Sequence, residues 1–204
     1  IDGPAGSGKS TLAKYLAKQL GLDYLDTGAM YRSVAAIALS NEVDLSDEEQ
    51  VAAIAETVNI SFENDKVYVD GKDLSKEIRS PDVNAAVSQV AANTGVRSVM
   101  RRQQRTWARV RGGGVLEGRD IGSVVFPHAR LKVYVTATPE ERARRRSLET
   151  GRTVEDITKE ILQRDTKDST RGDSPLVADE EAVVIDTTGK TIEETADYIQ
   201  ELFQ

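Results

Sequence analysis

Gly3-Pro4-Ala5-Gly6-Ser7-Gly8-Lys9-Ser10 decides how this chain is read. It matches G-x-x-x-x-G-K-[ST] at every fixed position. Glycines let the backbone turn tightly with no Cβ in the way, so successive N–H groups point inward at phosphate oxygens. A helix that starts where the loop ends adds the positive end of its dipole. The pattern places Lys9 to reach the β- and γ-phosphates and the Ser10 hydroxyl to hold Mg²⁺. Four fixed positions also fit a glycine-rich turn that binds nothing, so the surroundings have to decide.

The surroundings agree with a nucleoside triphosphate site. Leu12, Leu16 and Leu20 recur at i, i+4 and i+8, which is one apolar helix face, and Gly21 is a natural stop behind them. A phosphate loop follows a buried strand, yet only Ile1 and Asp2 precede it and there is no initiator Met. Most of that strand is therefore expected to lie outside this sequence.

The 204 residues suit a single domain with an insertion. Hydrophobic residues make up 39% and charged ones 30%, the balance of a soluble globular fold with a core of its own. The net charge of −7 argues against a global affinity for nucleic acid or anionic membrane, so anion specificity must come from local arginine clusters. With no cysteine, disulfides and thiolate metal sites are excluded, and a single histidine argues against a His-based zinc site. No apolar run is long enough to span a bilayer and no signal peptide is visible, which makes the cytoplasm the default location.

Along the chain, helical and strand patterns alternate with one interruption. Segment 22–26 reads as a strand and 29–39 as a helix, and 46–49 is a capping box that opens a helix to about Thr57. The period then changes to two. Segments 59–63 and 66–70 alternate polar and apolar around Asn64-Asp65, predicting a hairpin in an inserted sheet over about 60–78. Ser80-Pro81 starts a helix to Ala92, and a second runs from Gly95 to Arg111 before Gly112-Gly113-Gly114. Segments 115–120, 131–136 and 182–186 read as strands. Thr138-Pro139-Glu140-Glu141 caps an arginine-rich helix, a helix covers about 154–165, and 191–194 caps the last one. Strands alternating with helices predict an α/β fold, a doubly wound parallel sheet covered on both faces.

Such sheets bind ligands beyond the carboxyl ends of their strands. Segments 26–32, 117–120 and 163–171 fall at strand or helix ends, and each brings arginine beside carboxylate. Arginine forks grip phosphate through parallel hydrogen bonds, and phosphoryl transfer depends on positioning and charge stabilisation. A phosphate loop with convergent arginines is a kinase-like inventory. No His-Arg-Asp with a later Asp-Phe-Gly occurs, so the acceptor is expected to be a small molecule rather than a protein. On the second long helix, Arg101, Arg102, Arg105, Arg109 and Arg111 are read as spread around the cylinder, a solvated surface rather than a nucleic-acid site, with Met100, Trp107 and Val110 filling core. His128 reads as a surface turn residue.

Segments 1–11, 25–32, 88–91, 117–127 and 164–171 together resemble the bacterial cytidylate kinase family, in the family's order and across nearly the whole chain. The resemblance implies a P-loop kinase core with a small inserted β-rich region that binds the nucleoside monophosphate, about 40–100, and a helical lid over about 145–172. It implies transfer of the ATP γ-phosphate to CMP or dCMP with Mg²⁺, by a monomer that takes neither nucleic acid nor membrane as partner. Carried over by position, Gly3, Pro4, Ala5, Gly6, Ser7, Gly8, Lys9, Ser10 and Thr11 hold the ATP phosphates, with Ser10 on the metal and Arg146 as a lid contact. Arg32 and Arg119 clamp the CMP phosphate. Thr27 and Tyr31 lie near the nucleoside, and Ser88, Arg97 and Asp120 read cytosine. Arg164 and Asp168 meet the sugar, and Arg171 a phosphate or the transition state. Two rivals remain at this stage: a kinase for another small acceptor of the UMP, shikimate or gluconate type, and a nucleotide-dependent switch. The first lacks a use for base readers, and the second hydrolyses ATP without an acceptor.

Overall fold

The computed structural model describes residues 1–203, which form two compact units, 1–24 with 111–203 and 25–110. In chain order the elements are α1 (Lys9–Leu20), β1 (Tyr24–Asp26), α2 (Thr27–Ser40), α3 (Glu48–Thr57), β2 (Ile60–Glu63), β3 (Lys66–Val69) and β4 (Lys72–Asp73). They continue with α4 (Pro81–Ala92), α5 (Thr94–Arg111), β5 (Val115–Glu117), β6 (Val133–Thr136), α6 (Pro139–Thr150), α7 (Val154–Thr170), β7 (Val183–Asp186) and α8 (Ile192–Phe203).

In the first unit, Ile1 and Asp2 fill the place of a strand. Asp2 bridges in parallel to Gly118 on one side and Tyr134 on the other. Its N–H donates to the Val133 carbonyl at 2.8 Å and its carbonyl accepts from Val135 at 2.7 Å. Next to it β6 and β7 pair in parallel from Val133 opposite Val183 to Thr136 opposite Asp186. The phosphate loop thus leaves the carboxyl end of a central position in a parallel sheet. Leu12 and Leu16 of α1 and Ala196 and Ile199 of α8 pack with Val133, Val135 and Ile185 in one buried cluster, as the apolar period of α1 predicts. Leu20 is only half-buried.

The strand expected over 115–120 stops at Glu117. The chain then winds into a π-helical turn, Ile121–Val125. The cause is the buried Asp2 carboxylate, which accepts the Ile121 and Gly122 amides at 2.8 and 2.7 Å and turns the backbone out of the sheet. A π-turn of this kind often sits at a functional site. The helix expected over 154–165 runs on to Thr170.

The second unit holds α2 to α4, nearly all of α5 and the small sheet β2–β3–β4. Asn64 and Asp65, with φ of 49° and 63°, form the left-handed two-residue turn that joins β2 to β3. A second such turn at Asp70 and Gly71 returns the chain and adds β4, so the expected hairpin is three-stranded. The cap of α3 is Asp47, whose carboxylate accepts the Gln50 amide at 3.0 Å, because Ser46 is occupied with Asp44. The predicted caps at Ser80, Thr138 and Thr191 form as expected. Met100 is buried and Trp107 half-buried, but Val110 is 75% exposed in the last turn of α5, beyond the buried row ending at Ala108. His128 is exposed.

Candidate functional site

The phosphate loop is shaped by its glycines at two places. A Cβ on Gly3 would collide with the Val135 carbonyl, so no other residue fits so close to β6. Gly8 takes φ 86° and caps α1, a conformation L-residues rarely adopt. Lys9 opens the helix and is 5% exposed. Its Nζ donates to the Pro4 carbonyl at 2.7 Å and lies 3.5 Å from Ser7 Oγ. Burial pushes the Lys9 ammonium down to about 7, and the positive charge of Arg119 adds to this, with Glu117 pulling the other way.

Ser10 Oγ donates to Glu117 Oε1 at 2.5 Å, and the Tyr24 hydroxyl reaches the same oxygen at 3.3 Å. Glu117 is buried at the end of β5. A hydroxyl and a carboxylate at the loop are hard oxygen donors of the kind that suits Mg²⁺, which takes one or two protein oxygens and completes its shell with water and phosphate. Among the described residues no group of three or more His, Cys, Asp or Glu is placed to hold a metal. Thr11 is exposed on α1.

Two further residues brace the loop. Arg142 is 5% exposed, donates from Nη1 to the Ala5 carbonyl at 3.0 Å and pairs with Asp165, whose other oxygen accepts the Ala5 amide at 3.2 Å. Arg145 donates from Nη2 to the Thr187 carbonyl at 2.7 Å and approaches the Ser7 carbonyl at 3.5 Å, and the Thr187 hydroxyl meets the same Ser7 oxygen. Arg146 stands apart from the loop, half-exposed with Nη1 3.8 Å from Glu149. Within the arginine run of α6, therefore, Arg142 and Arg145 touch the loop. Their roles were not legible because α6 offers arginines on several faces and only packing selects among them.

Five sequence-predicted residues gather in the same unit. Arg119 Nε donates to Asp168 Oδ2 at 2.9 Å, and Arg164 Nε lies 3.9 Å from that oxygen. Arg171 Nη2 lies 3.9 Å from Asp120 Oδ1, both side chains 6% exposed, and Arg171 Nε donates to the Ser174 carbonyl at 2.6 Å. Burial would raise the Asp168 carboxyl, yet the charges of Arg119 and Arg164 outweigh it and hold the group below the usual range. The field of Arg119 and Arg164 reaches Lys9, so loop and cluster share one electrostatic site.

Thr27, Tyr31, Arg32, Ser88 and Arg97 lie in the other unit. Tyr31 and Arg97 are brought together, the guanidinium 5.5 Å from the ring centroid, and Arg97 Nη1 donates to the Ala91 carbonyl at 3.0 Å. Thr27 is buried at the start of α2, and the Asp26 carboxylate caps that helix through Ala29 and lies 3.6 Å from Arg79. Arg32 folds back over Gly28, where a Cβ would stand 3.1 Å from Nη1. Ser88 is half-buried on α4.

A parallel sheet, a phosphate loop braced by Arg142 and Arg145 and an arginine–carboxylate cluster in the same unit define a P-loop kinase core. A family model described as cytidylate kinase matches residues 1–204. A cytidylate kinase of Enterococcus faecalis (strain ATCC 700802 / V583) is 46% identical over 215 residues, covering 100% of this chain and 94% of that protein. One from Alkaliphilus oremlandii (strain OhILAs) is 42% identical over 209 residues, covering 100% and 96%. The chain belongs to the cytidylate kinase family and is a phosphotransferase. The crystal structure of an uncharacterized protein from Eubacterium ventriosum ATCC 27560 shares the fold, with a TM-score of 0.57 at 11% identity over 100% of this chain and 95% of that one. Among the described residues no helix is long and apolar enough to cross a membrane.

Proposed function

We propose that this chain transfers the γ-phosphoryl group of ATP to CMP and dCMP, giving CDP and dCDP, and does so as a cytoplasmic monomer with Mg²⁺. The observation that carries the reading is a phosphate loop with a buried Lys9 in the same compact unit as the arginine–carboxylate cluster of Arg119, Asp168 and Arg164. Phosphoryl transfer spreads negative charge over the moving group, and preorganised cations at its path stabilise that charge more than the ground state. A phosphate oxygen of CMP attacks in line and no covalent enzyme intermediate is needed. The loop over 3–11, through its backbone N–H groups and Lys9, holds the donor phosphates, with Pro4 shaping the turn rather than donating, Arg146 closes on them from the lid, and Arg32, Arg119 and Arg171 hold the acceptor phosphate. Arg164 and Asp168 meet the sugar. Mg²⁺, when bound, neutralises charge on the donor oxygens, and Ser10 with Glu117 would hold it. Glu117→Gln is accordingly expected to raise the Mg²⁺ concentration for half-maximal turnover several-fold, and an unaltered Mg²⁺ titration would remove Glu117 from that role.

Cytosine is read by Asp120, Ser88 and Arg97, with Thr27 and Tyr31 lining the nucleoside. The cytosine amino group suits a carboxylate acceptor, and its O2 and N3 suit serine and arginine. Uracil turns an oxygen toward the carboxylate and leaves it unpaired, the arrangement by which a hydrogen-bonding site rejects an analogue strongly. Arg97, held by Tyr31 and the Ala91 carbonyl, is fixed before the base arrives. The test is ADP release with Mg-ATP and CMP, dCMP, UMP, AMP or GMP in parallel. Fast turnover is expected with CMP and dCMP alone, whereas equal rates on UMP, or ATP hydrolysis without acceptor, would refute the reading. Asp120→Ala is expected to cut the CMP-over-UMP preference by about 10- to 100-fold while leaving the ATP KM nearly unchanged.

A further inference from the structure

Arg119 and Asp120 stand on a two-residue span, and both ends of that span are fastened to the two residues in front of the phosphate loop. At one end the Gly118 N–H donates to the Ile1 carbonyl at 2.9 Å. At the other, the Asp2 carboxylate accepts the Ile121 amide on Oδ1 at 2.8 Å and the Gly122 amide on Oδ2 at 2.7 Å. All of these residues belong to the first unit. We propose that Asp2 is a positioning residue for phosphoryl transfer: its carboxylate sets Arg119 and Asp120, which meet the acceptor nucleotide, in register with the loop that holds the donor. The inference rests on the reading of the chain as a CMP kinase.

The backbone of Asp2 already meets the needs of a strand residue. Its N–H and carbonyl are taken by Val133 and Val135, which leaves the side chain for another task. Asp2 is only 7% exposed, and such a place in a parallel sheet is ordinarily apolar, because a buried carboxylate costs free energy unless hydrogen bonds satisfy it. Here each amide has a carboxylate oxygen of its own, which asparagine cannot provide. A strand continued past Glu117 would have paired its amides within the sheet and needed no buried charge. What the carboxylate brings is the change of direction. The Asp120 carbonyl then accepts the Val124 and Val125 amides at 2.9 and 3.1 Å, and the Ile121 carbonyl accepts the Phe126 amide at 2.7 Å. The main chain of Asp120, itself 4% exposed, is thus held by the turn that Asp2 anchors.

Gly3 follows Asp2 directly, so one residue ties the start of the donor loop to the acceptor side. In-line transfer needs reacting atoms about 3 to 3.5 Å apart, and a misplacement of about 1 Å can cost about 100-fold in rate. The turn also packs on Lys132, whose Cβ, Cγ and Cδ would stand 3.3 Å from a Cβ on Gly122. Lys132 is itself pinned by Asp179 at 3.0 Å and Glu181 at 2.7 Å. Loss of the Asp2 carboxylate therefore lets the turn shift without unfolding it.

Asp2→Asn tests this on the intact protein. It keeps the shape and both backbone bonds but turns an NH2 toward one of the two amides. Turnover with Mg-ATP and CMP or UMP, ATP binding by calorimetry and hydrogen exchange are measured together. The CMP KM is expected to rise and kcat to fall, each by about tenfold, and the CMP-over-UMP preference to shrink by about as much, while ATP affinity stays within about twofold. Exchange at the Ile121 and Gly122 amides should quicken at least about tenfold. Asp2→Ser, which offers a hydroxyl and no competing NH2, carries the same measurements as a second variant. A kcat that falls alike for CMP and UMP, with the CMP KM unchanged, is the mark of a merely destabilised protein and overturns the proposal. So does an ATP affinity that weakens as much as the CMP KM rises, which puts the effect in the loop, and so does amide exchange like that of wild type. Wild type idle with CMP overturns the CMP kinase reading and this inference with it, whereas every other adverse result leaves that reading standing.

Discussion

Lys9→Met is expected to lower kcat with CMP by at least about 10²- to 10³-fold, the loss typical of removing one preorganised donor from a developing charge. The same change is expected to make the empty protein more stable at neutral pH. Lys9 is buried among loop carbonyls and near Arg119, and its pKa falls from 10.5 to about 7. Between about pH 7 and 10.5 the unfolded chain therefore holds more proton than the folded one, and the contribution of this group to stability rises with pH across that window. Methionine removes the cost of the buried charge, so the stability gained by Lys9→Met is largest below pH 7 and fades toward pH 10. ATP phosphates return a negative partner to the ammonium, so binding takes up a proton above pH 7 and ATP affinity weakens as pH rises. Calorimetry in buffers of different ionisation heat reads that uptake, and melting curves from pH 6 to 10 read the stability. Wild-type turnover in Lys9→Met would sink the mechanism. A destabilised variant at pH 7 would show that the ammonium is a structural partner of the loop.

The loop and its helix were legible because each rests on local rules: glycine conformation, a helix start and an i, i+4 leucine face. The position of Ile1 and Asp2 between two parallel strands also follows from the loop, which needs a strand in front of it. The end of β5 was not legible, because the turn after Glu117 is dictated by the carboxylate of Asp2, more than a hundred residues away. Arg142 and Arg145 were hidden for the same reason, since their partners Ala5, Ser7 and Thr187 lie on other elements. Glu117 stood in a quoted motif but drew no role, as nothing local ties it to Ser10. Of the five α5 arginines expected to spread around the helix, residues 101, 102, 105 and 109 fall within about a quarter of the helical circle and line one groove, whereas Arg111 lies outside that arc.

Asp168→Ala is expected to cost stability as well as CMP turnover. Asp168 has a side chain only 7% exposed and holds Arg119, itself 17% exposed, at 2.9 Å. Removing one member of a buried pair strands the other charge, a loss of about 3 kcal/mol or more. The pair is thus an obligation of the fold as well as a way of aiming Arg119 at the acceptor phosphate. Adding Arg119→Met to Asp168→Ala should restore much of the stability but none of the turnover, since it removes the stranded charge together with the phosphate partner. Acid behaviour gives a separate reading. The folded carboxyl titrates below its unfolded value of 3.8, so its stabilisation is present above that value and is lost as pH falls through the folded pKa. Asp168→Asn should therefore flatten the stability curve below about pH 4. Melting curves of the two single variants and the double variant decide the matter. If Asp168→Ala melts like wild type, Arg119 has another partner and the cluster is not built on this pair. If the double variant is less stable than Asp168→Ala, Arg119 supports the fold through packing rather than charge.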